Sequence, residues 1–345
     1  MKLNKLVGYV SVLGIFVAMG FGYSLYRKAF TANTNFNQAK VYVKIPTNAT
    51  YEQAQDSIKK YVKDYESLAS LYDKLGEKGA VAPGRYLIEK GNNNYRIIKA
   101  LRHNSPVKLT FNNQETFEKL LQRISSQVEP EMADLYQVFT EPSFLEEMGM
   151  TKETILALCI PNTYEVYWNA TPLKIRNILQ KEYNRFWNAD RLAKAKALNL
   201  TPTQVTSLAA IVQKETAKVD ERPKVAGAYL NRLNQDMLLQ ADPTVVYAKK
   251  ALSNDFDQII KRVYLKDLVL DHPYNTYKYK GIPKGIITMP DASSIDAVLN
   301  AEKHNYIYFC ASVDRMGYQE FASTLAEHGK NRDKYTKWLN EQNVE

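Results

Sequence analysis

Residues 208–248 read LAAIVQKETAKVDERPKVAGAYLNRLNQDMLLQADPTVVYA, and the expected fold hangs on this stretch. Just before it, Thr201, Pro202 and Gln204 mark a helix start. They supply a hydroxyl to cap, a proline whose missing N–H costs nothing in the first turn, and a glutamine to close a capping box. Val205, Leu208, Val212, Glu215 and Val219 then recur at intervals of three and four, one face of an α-helix. A carboxyl group on an apolar face is partly desolvated, which disfavours its charged form, so the pKa of Glu215 is expected to rise and to suit a general acid near neutrality. The plain alternative is a solvated glutamate paired with Lys214 or Lys218.

Outward from Glu215, Asp220 is placed to cap a second helix with Pro223 in its first turn, and Val225, Ala226, Tyr229, Leu230 and Leu233 give it an apolar face. Asp242-Pro243 reads as the start of a third helix, with Thr244 in its first turn. Asn231, Gln240 and Asp242 fall near the turns, as a polar rim on a compact helical unit would; each alone also reads as a cap or a solvated side chain.

Composition narrows the function classes. The 345 residues are 45% hydrophobic, which fits a folded chain of two domains plus an anchor. The formal net charge of +9 is spread along the chain without a long basic run, which argues against nucleic acid and suits anionic lipid or a cell-wall polymer. Cys159 and Cys310 both lie in apolar runs and read as buried thiols. The histidines at 103, 272, 304 and 328 are scattered, no Cys-x-x-Cys occurs, and neither a phosphate loop nor a nucleophile elbow is present. No metal and no cofactor are expected.

Residues 6–26 form a run of 21 without a charge, flanked by Lys2 and Lys5 before it and Arg27 and Lys28 after it. About 20 apolar residues span a bilayer, so an uncleaved single transmembrane helix is expected, with a linker over 29–40. Between Val41 and Asn113 a strand-then-helix pattern recurs: Val41 to Ile45, then a helix through Ala54, Ile58 and Tyr61; Tyr86 to Glu89, then a helix through Ile97, Ile98 and Leu101; Val107 to Phe111, then Glu115 to Ile124. Tyr86, Tyr95 and Phe111 are of the type that stacks on sugar rings or fills a core. From Glu129 to Asn199 the chain reads as helices over 131–139, 142–148, 152–158 and 172–198, broken by an extended aromatic segment at 160–168 whose Tyr164, Tyr167 and Trp168 suit a carbohydrate cleft or simple packing. Residues 253–270 read as helix and loop, 306–311 as a buried strand and 331–340 as a closing helix. Tyr274, Asn275, Thr276 and Tyr277 gather four hydrogen-bonding side chains in a loop, the second choice for the site.

The blocks IVQKET (211–216), ERPKVAGAYLNRL (221–233) and LLQADPTVVYA (238–248) resemble the YceG-like family of endolytic murein (peptidoglycan) transglycosylases. PNTYEVYW (161–168), HPYNTYKYKGIPKG (272–285), YIYFCAS (306–312) and FASTLAEH (321–328) extend the resemblance in order over most of the chain after Val41. It implies an α+β fold: the transmembrane anchor at 1–28, a LysM-like strand-helix subdomain at 41–113, then a mostly helical catalytic domain at 114–345 with its core at about 200–330. It also implies a lyase cutting the bond between N-acetylmuramic acid and N-acetylglucosamine and closing a 1,6-anhydro ring. Glu215 would be the catalytic acid, and Asn231, Gln240, Asp242, Thr244, Tyr274, Asn275 and Tyr277 would hold the glycan. The bulk of the chain would lie outside a bacterial cytoplasmic membrane, with peptidoglycan strands, membrane lipid and, by analogy, synthases of wall elongation as partners. Departures are Lys284 where a second proline is usual, Met289-Pro290-Asp291 for Asn-Pro-Gly, and Tyr318 to Glu320 where a histidine is frequent. Two other readings stay open: a muramidase that hydrolyses with water, and a non-catalytic wall-binding scaffold.

Overall fold

The computed structural model describes residues 2–77, 79 and 81–341, without the side chains of residues 2–7 and 10. The chain divides into two compact units. Residues 1–109, 127–130 and 164–171 form the first, and residues 110–126, 131–163 and 172–345 the second.

In the first unit, α1 (Lys2–Phe30) is followed by β1 (Lys40–Ile45), α2 (Tyr51–Lys59), α3 (Tyr65–Lys74), β2 (Gly84–Glu89) and α4 (Asn94–Ala100). β1 and β2 pair antiparallel, Lys40 opposite Glu89 and Ile45 opposite Gly84. The two-residue period of a strand turns Val43, Ile45, Tyr86 and Ile88 to one face, where Ile58 of α2, Leu68 of α3 and Ile97 and Ile98 of α4 close the core. Thr50 starts α2 with a full capping box: its hydroxyl accepts from the Gln53 N–H at 3.2 Å, and the Gln53 side chain accepts from the Thr50 N–H at 2.9 Å. The expected threefold repeat does not form as equal units, because α3 intervenes and β3 (Pro106–Phe111) pairs with β4 (Asn162–Tyr167). Tyr86 and Phe111 are core residues, and so are Tyr164 and Trp168; Tyr95 and Tyr167 are exposed. The expected membrane span lies within α1, but the side chains of residues 6, 7 and 10 fall outside the description. Among the described residues, no helix is long and apolar enough to cross a membrane.

The second unit contains α5 (Phe117–Ser125), α6 (Met132–Phe139), α7 (Pro142–Met148), α8 (Pro172–Phe186) and α9 (Ala189–Ala197). Only a short 3-10 turn, Ile155–Leu158, stands where a helix over 152–158 is expected. The single helix expected over 172–198 is two, because Asn188 caps a new start by accepting from the Arg191 N–H at 3.0 Å. α10 (Pro202–Glu215) begins as its sequence dictates, with Thr201 and Gln204 closing a capping box around Pro202. It runs through the interior, every residue from Val205 to Val212 being buried. It ends at Glu215, so Val219 is exposed beyond the helix rather than on its stripe.

Around α10 pack α11 (Arg222–Asn234), α12 (Asp242–Ser253) and α13 (Ala292–Leu299). Gln213 near the end of α10 ties down α13, accepting from the Asp291 N–H at 2.6 Å and the Ser294 hydroxyl at 2.8 Å. α11 starts from Glu221 rather than from a side-chain cap at Asp220. β5 (Tyr308–Ala311) is half-buried rather than buried and pairs antiparallel with β6 (Gln319–Ala322); α14 (Leu325–Glu341) closes the described chain. Cys159 is a buried free thiol, Cys310 a half-buried one.

One face of α11 lies against the segment before β5. The Glu302 N–H donates to the Pro223 carbonyl at 3.0 Å, and the His304 ring meets the Lys224 carbonyl oxygen at 2.9 Å. Gly227 makes this approach possible, because a Cβ there would collide with the Glu302 carbonyl oxygen and the His304 ring. Gly227→Ala gains helix propensity of about 1 kcal/mol but overpacks a buried seam, at a cost of about 1–3 kcal/mol. A lowered urea midpoint is the expected net result; an unchanged or raised midpoint would show that the 302–304 segment yields.

Candidate active site

Glu215 is the last residue of α10, where helix geometry leaves carbonyl groups unpaired and the helix dipole is negative. The side chain is half-buried at the wall of a cleft of about 460 Å³, which Glu115, Asp242, Tyr247, Lys250 and Arg262 also line. Burial is the main cause that pushes its pKa up, to about 7; a hydrogen bond from Tyr229 lowers it, the nearby Asp242 raises it and Arg232 lowers it. Tyr229, fully buried on α11 and edge-on to Phe309 of β5 at 5.5 Å, donates its hydroxyl to Glu215 Oε1 at 2.7 Å. One carboxyl oxygen is thereby fixed and the other is left for a proton. The site therefore holds a carboxylic acid that is half-ionised near neutrality.

The loop after Glu215 is braced from below. The Thr216 hydroxyl donates to Glu221 Oε2 at 3.0 Å, while Glu221 Oε1 accepts from the Gln319 N–H of β6 at 2.7 Å. Arg232 of α11, whose charge also acts on Glu215, donates from Nε to the Ile307 carbonyl at 2.6 Å and bonds the Leu239 carbonyl.

Asp242 opens α12 at the cleft, exposed, and its Oδ1 accepts from the Tyr277 hydroxyl at 2.6 Å. Burial and that carboxylate hold the Tyr277 phenol well above its ordinary pKa, so it stays a donor. Thr244 and Asn275 are fully buried and brace this corner. The Thr244 and Thr276 hydroxyls lie 2.9 Å apart, and Thr276 Oγ1 accepts from the Ala241 N–H at 2.9 Å. Asn275 donates to the Leu268 and Leu270 carbonyls at 2.9 and 2.8 Å and accepts from the Tyr277 N–H at 3.0 Å. Asn231 donates to the His304 and Tyr306 carbonyls at 2.7 and 3.0 Å, holding α11 to the strand that follows. Gln240 is exposed, with a left-handed backbone at φ 50° that turns the chain into α12. Tyr274 lies 4.6 Å from the Tyr247 ring and lines an adjoining chamber of about 420 Å³.

Of the residues expected at the site, Glu215 and Asp242 line one cleft, Tyr277 reaches it through Asp242, and Tyr274 lies next door. Asn231, Thr244 and Asn275 have their side-chain bonds taken up within the fold. Missing from the sequence reading were the role of Tyr229, which looked like one more apolar-face residue, and the Glu115, Lys214 and Lys250 group, whose members are far apart in the chain. Glu115 accepts from Lys214 at 3.1 Å and from Lys250 at 2.8 Å; burial raises its pKa, but those two bonds more than offset it and keep it an anion. Among the described residues, no three His, Cys, Asp or Glu side chains converge to hold a metal ion.

A sequence model of the YceG-like family matches residues 43–334. The chain is 38% identical over 138 residues to an endolytic murein transglycosylase of Bacillus subtilis, covering 40% of this chain and 36% of that protein. It is 34% identical over 136 residues to an endolytic murein transglycosylase of Streptococcus pneumoniae, covering 39% of this chain and 24% of that one. The aligned part thus spans about a third or less of these relatives' lengths. A 2.6 Å crystal structure of a YceG-like protein from Listeria monocytogenes superposes with a TM-score of 0.56 at 25% identity, over 85% of this chain and 99% of that one.

The raised pKa sets a pH dependence of stability. Below the unfolded value of 4.5 Glu215 is protonated in both states; as pH rises the unfolded chain ionises first, and stability falls until the folded group has ionised above about 7. Glu215→Gln copies the protonated form. It is expected to match the wild-type Tm at pH 4 and exceed it at pH 8, by at most about 3 kcal/mol of stability. Tyr229→Phe removes a bond that favours the carboxylate, so the Glu215 midpoint, followed by carboxyl-carbon NMR, should move up by roughly one unit or more.

Proposed function

The chain belongs to the YceG-like family, and from that premise we propose that it is a lytic transglycosylase of peptidoglycan, with Glu215 as acid and then base. The observation that carries this reading is a carboxyl group with a pKa of about 7, oriented through one oxygen by Tyr229, at the wall of an open cleft. Protonated Glu215 gives its proton to the oxygen linking N-acetylmuramic acid to N-acetylglucosamine, and the bond from the anomeric carbon to that oxygen breaks. Positive charge develops at the anomeric carbon, where the Asp242 carboxylate, kept in place by Tyr277, offers compensating charge. The Glu215 carboxylate then takes the proton of the sugar's C6 hydroxyl, whose oxygen bonds the anomeric carbon and closes the anhydro ring. The acid is regenerated and no water is consumed.

Cleavage within a strand is supported by the shape of the cleft. It shares Asp242, Arg262 and Val263 with a chamber of about 700 Å³, and Glu115 and Tyr247 with the chamber of about 420 Å³. A cleft that opens into two chambers through different walls has room for sugars on both sides of the broken bond. Anchoring in the membrane belongs to the same proposal; the 21-residue run without charge and the exposed Leu13, Phe16, Val17 and Phe21 on α1 support it. In the first unit, a recess lined by Tyr51, Tyr65 and Tyr72 supports glycan contact by the β1–α2–α3–β2 segment, the LysM-like reading of the sequence.

One observation favours a second reading. Asp242 lies in the cleft of Glu215 and acts on its ionisation, and two carboxyl groups in one cleft are what a hydrolase needs to activate water. The products decide between the two. Full-length protein in detergent, incubated with purified peptidoglycan and followed by mass spectrometry, should yield 1,6-anhydro ends at a rate that falls at least about a hundredfold in Glu215→Gln. Reducing ends alone would establish the hydrolase, and no products from either protein would leave a binding scaffold.

A further inference from the structure

The cleft and its adjoining chambers are unevenly charged. Of the cations that line the cleft, Lys214 and Lys250 both bond Glu115, so one of their two charges is matched by a carboxylate of the protein and both ammonium groups are held in place. Lys261 and Arg262 also line it, on the exposed loop after α12, and among the described residues neither makes a salt bridge. Arg262 also faces the larger adjoining chamber, where Lys266 is a further cation. Asp267, beside Lys266 in the chain, is already bonded by Lys249 at 2.8 Å. Among the described residues, Asp242 is the one acid lining that chamber, and it is held by Tyr277. The chamber of about 420 Å³ carries Glu118 and Glu153 along with Lys152, and Glu115 at its edge is already matched by the two lysines. The chamber reached through Arg262 is therefore richer in positive charge than the one reached through Glu115.

The glycan backbone of peptidoglycan is uncharged, so an unevenly charged cleft has nothing to act on in the sugars themselves. The peptides attached to its muramic acid residues carry carboxylates. The geometry points to Lys261 and Arg262 as a subsite for a peptide carboxylate of a muramic acid residue bound in the cleft. Arg262, at the junction of the two chambers, offers a planar fork that takes a carboxylate through two N–H groups, and Lys261 adds a point charge beside it. The pair therefore selects substrate with its peptide in place. This assignment rests on the transglycosylase reading.

The test separates the two. Full-length protein carrying Glu215→Gln binds without turnover. Its affinity is measured by fluorescence anisotropy for two labelled soluble glycan fragments of equal length, one with its peptides and one with them removed and the lactyl carboxylates so exposed capped as methylamides. The expected result is about tenfold tighter binding of the peptide-bearing fragment, the scale of two partly exposed ion pairs, shrinking in about 0.5 M salt. Adding Lys261→Ala and Arg262→Ala together should bring the ratio of the two affinities close to one, whereas Lys261→Arg should keep it. Equal binding of the two fragments by the parent, or an unchanged ratio in the double variant, overturns the subsite and leaves the transglycosylase standing. A parent that binds neither fragment overturns both.

Discussion

The hydrogen bond from Tyr229 to Glu215 is the contact on which the site depends. A carboxyl group at the carbonyl end of a buried helix is disfavoured as an anion twice over, by lost solvation and by the helix dipole. Without a donor its pKa would stand higher still and the group would have no fixed direction. Tyr229 answers both problems with one hydroxyl, because a donor favours the anion and its position selects which oxygen stays free. Its ring is held between α11 and β5, edge-on to Phe309, so the aim of the acid is set by the packing of a helix against a small sheet.

The rest of the second unit can be understood as support for that geometry. Thr244, Thr276 and Asn275 look like ligand-binding side chains because they are polar and close to the cleft, yet their bonding capacity is used on backbone groups and on one another. Through them the first turn of α12 and the loop that carries Tyr277 become one rigid corner, and Asp242 faces Glu215 from a fixed place. Buried polar groups of this kind lose stability when they are only partly satisfied. Their demand for complete bonding is what makes the corner specific.

Much of this architecture was legible in the chain. The capping box at Thr201 and the apolar spacing from Val205 to Val212 placed α10 and put a carboxyl group on it, and Pro223 and Pro243 marked the helices that follow. The failures have local causes. Val219 continued the helical spacing on paper, but α10 stops at Glu215. Asn188 interrupted a stretch that was otherwise helical throughout, because a cap outweighs a continuous apolar stripe. The Tyr229 bond, and the Lys pair that neutralises Glu115, join residues 14 to 135 positions apart and leave no periodic trace. Tyr86, Phe111, Tyr164 and Trp168 showed the opposite ambiguity: an aromatic suited to sugar is equally suited to a core, and only burial separates the two.

The first unit is not one continuous length of chain. Its 1–109 segment is completed by residues 127–130 and 164–171, and β3 finds its partner in β4 some fifty residues later. As the chain is made from its N-terminus, β1, β2 and the helices between them can assemble early, but β3 must wait with an open edge until residues beyond 167 have emerged. An unpaired strand edge is a template for wrong partners. The interval in which the growing chain is most prone to mispairing is therefore set by the position of β4 in the sequence.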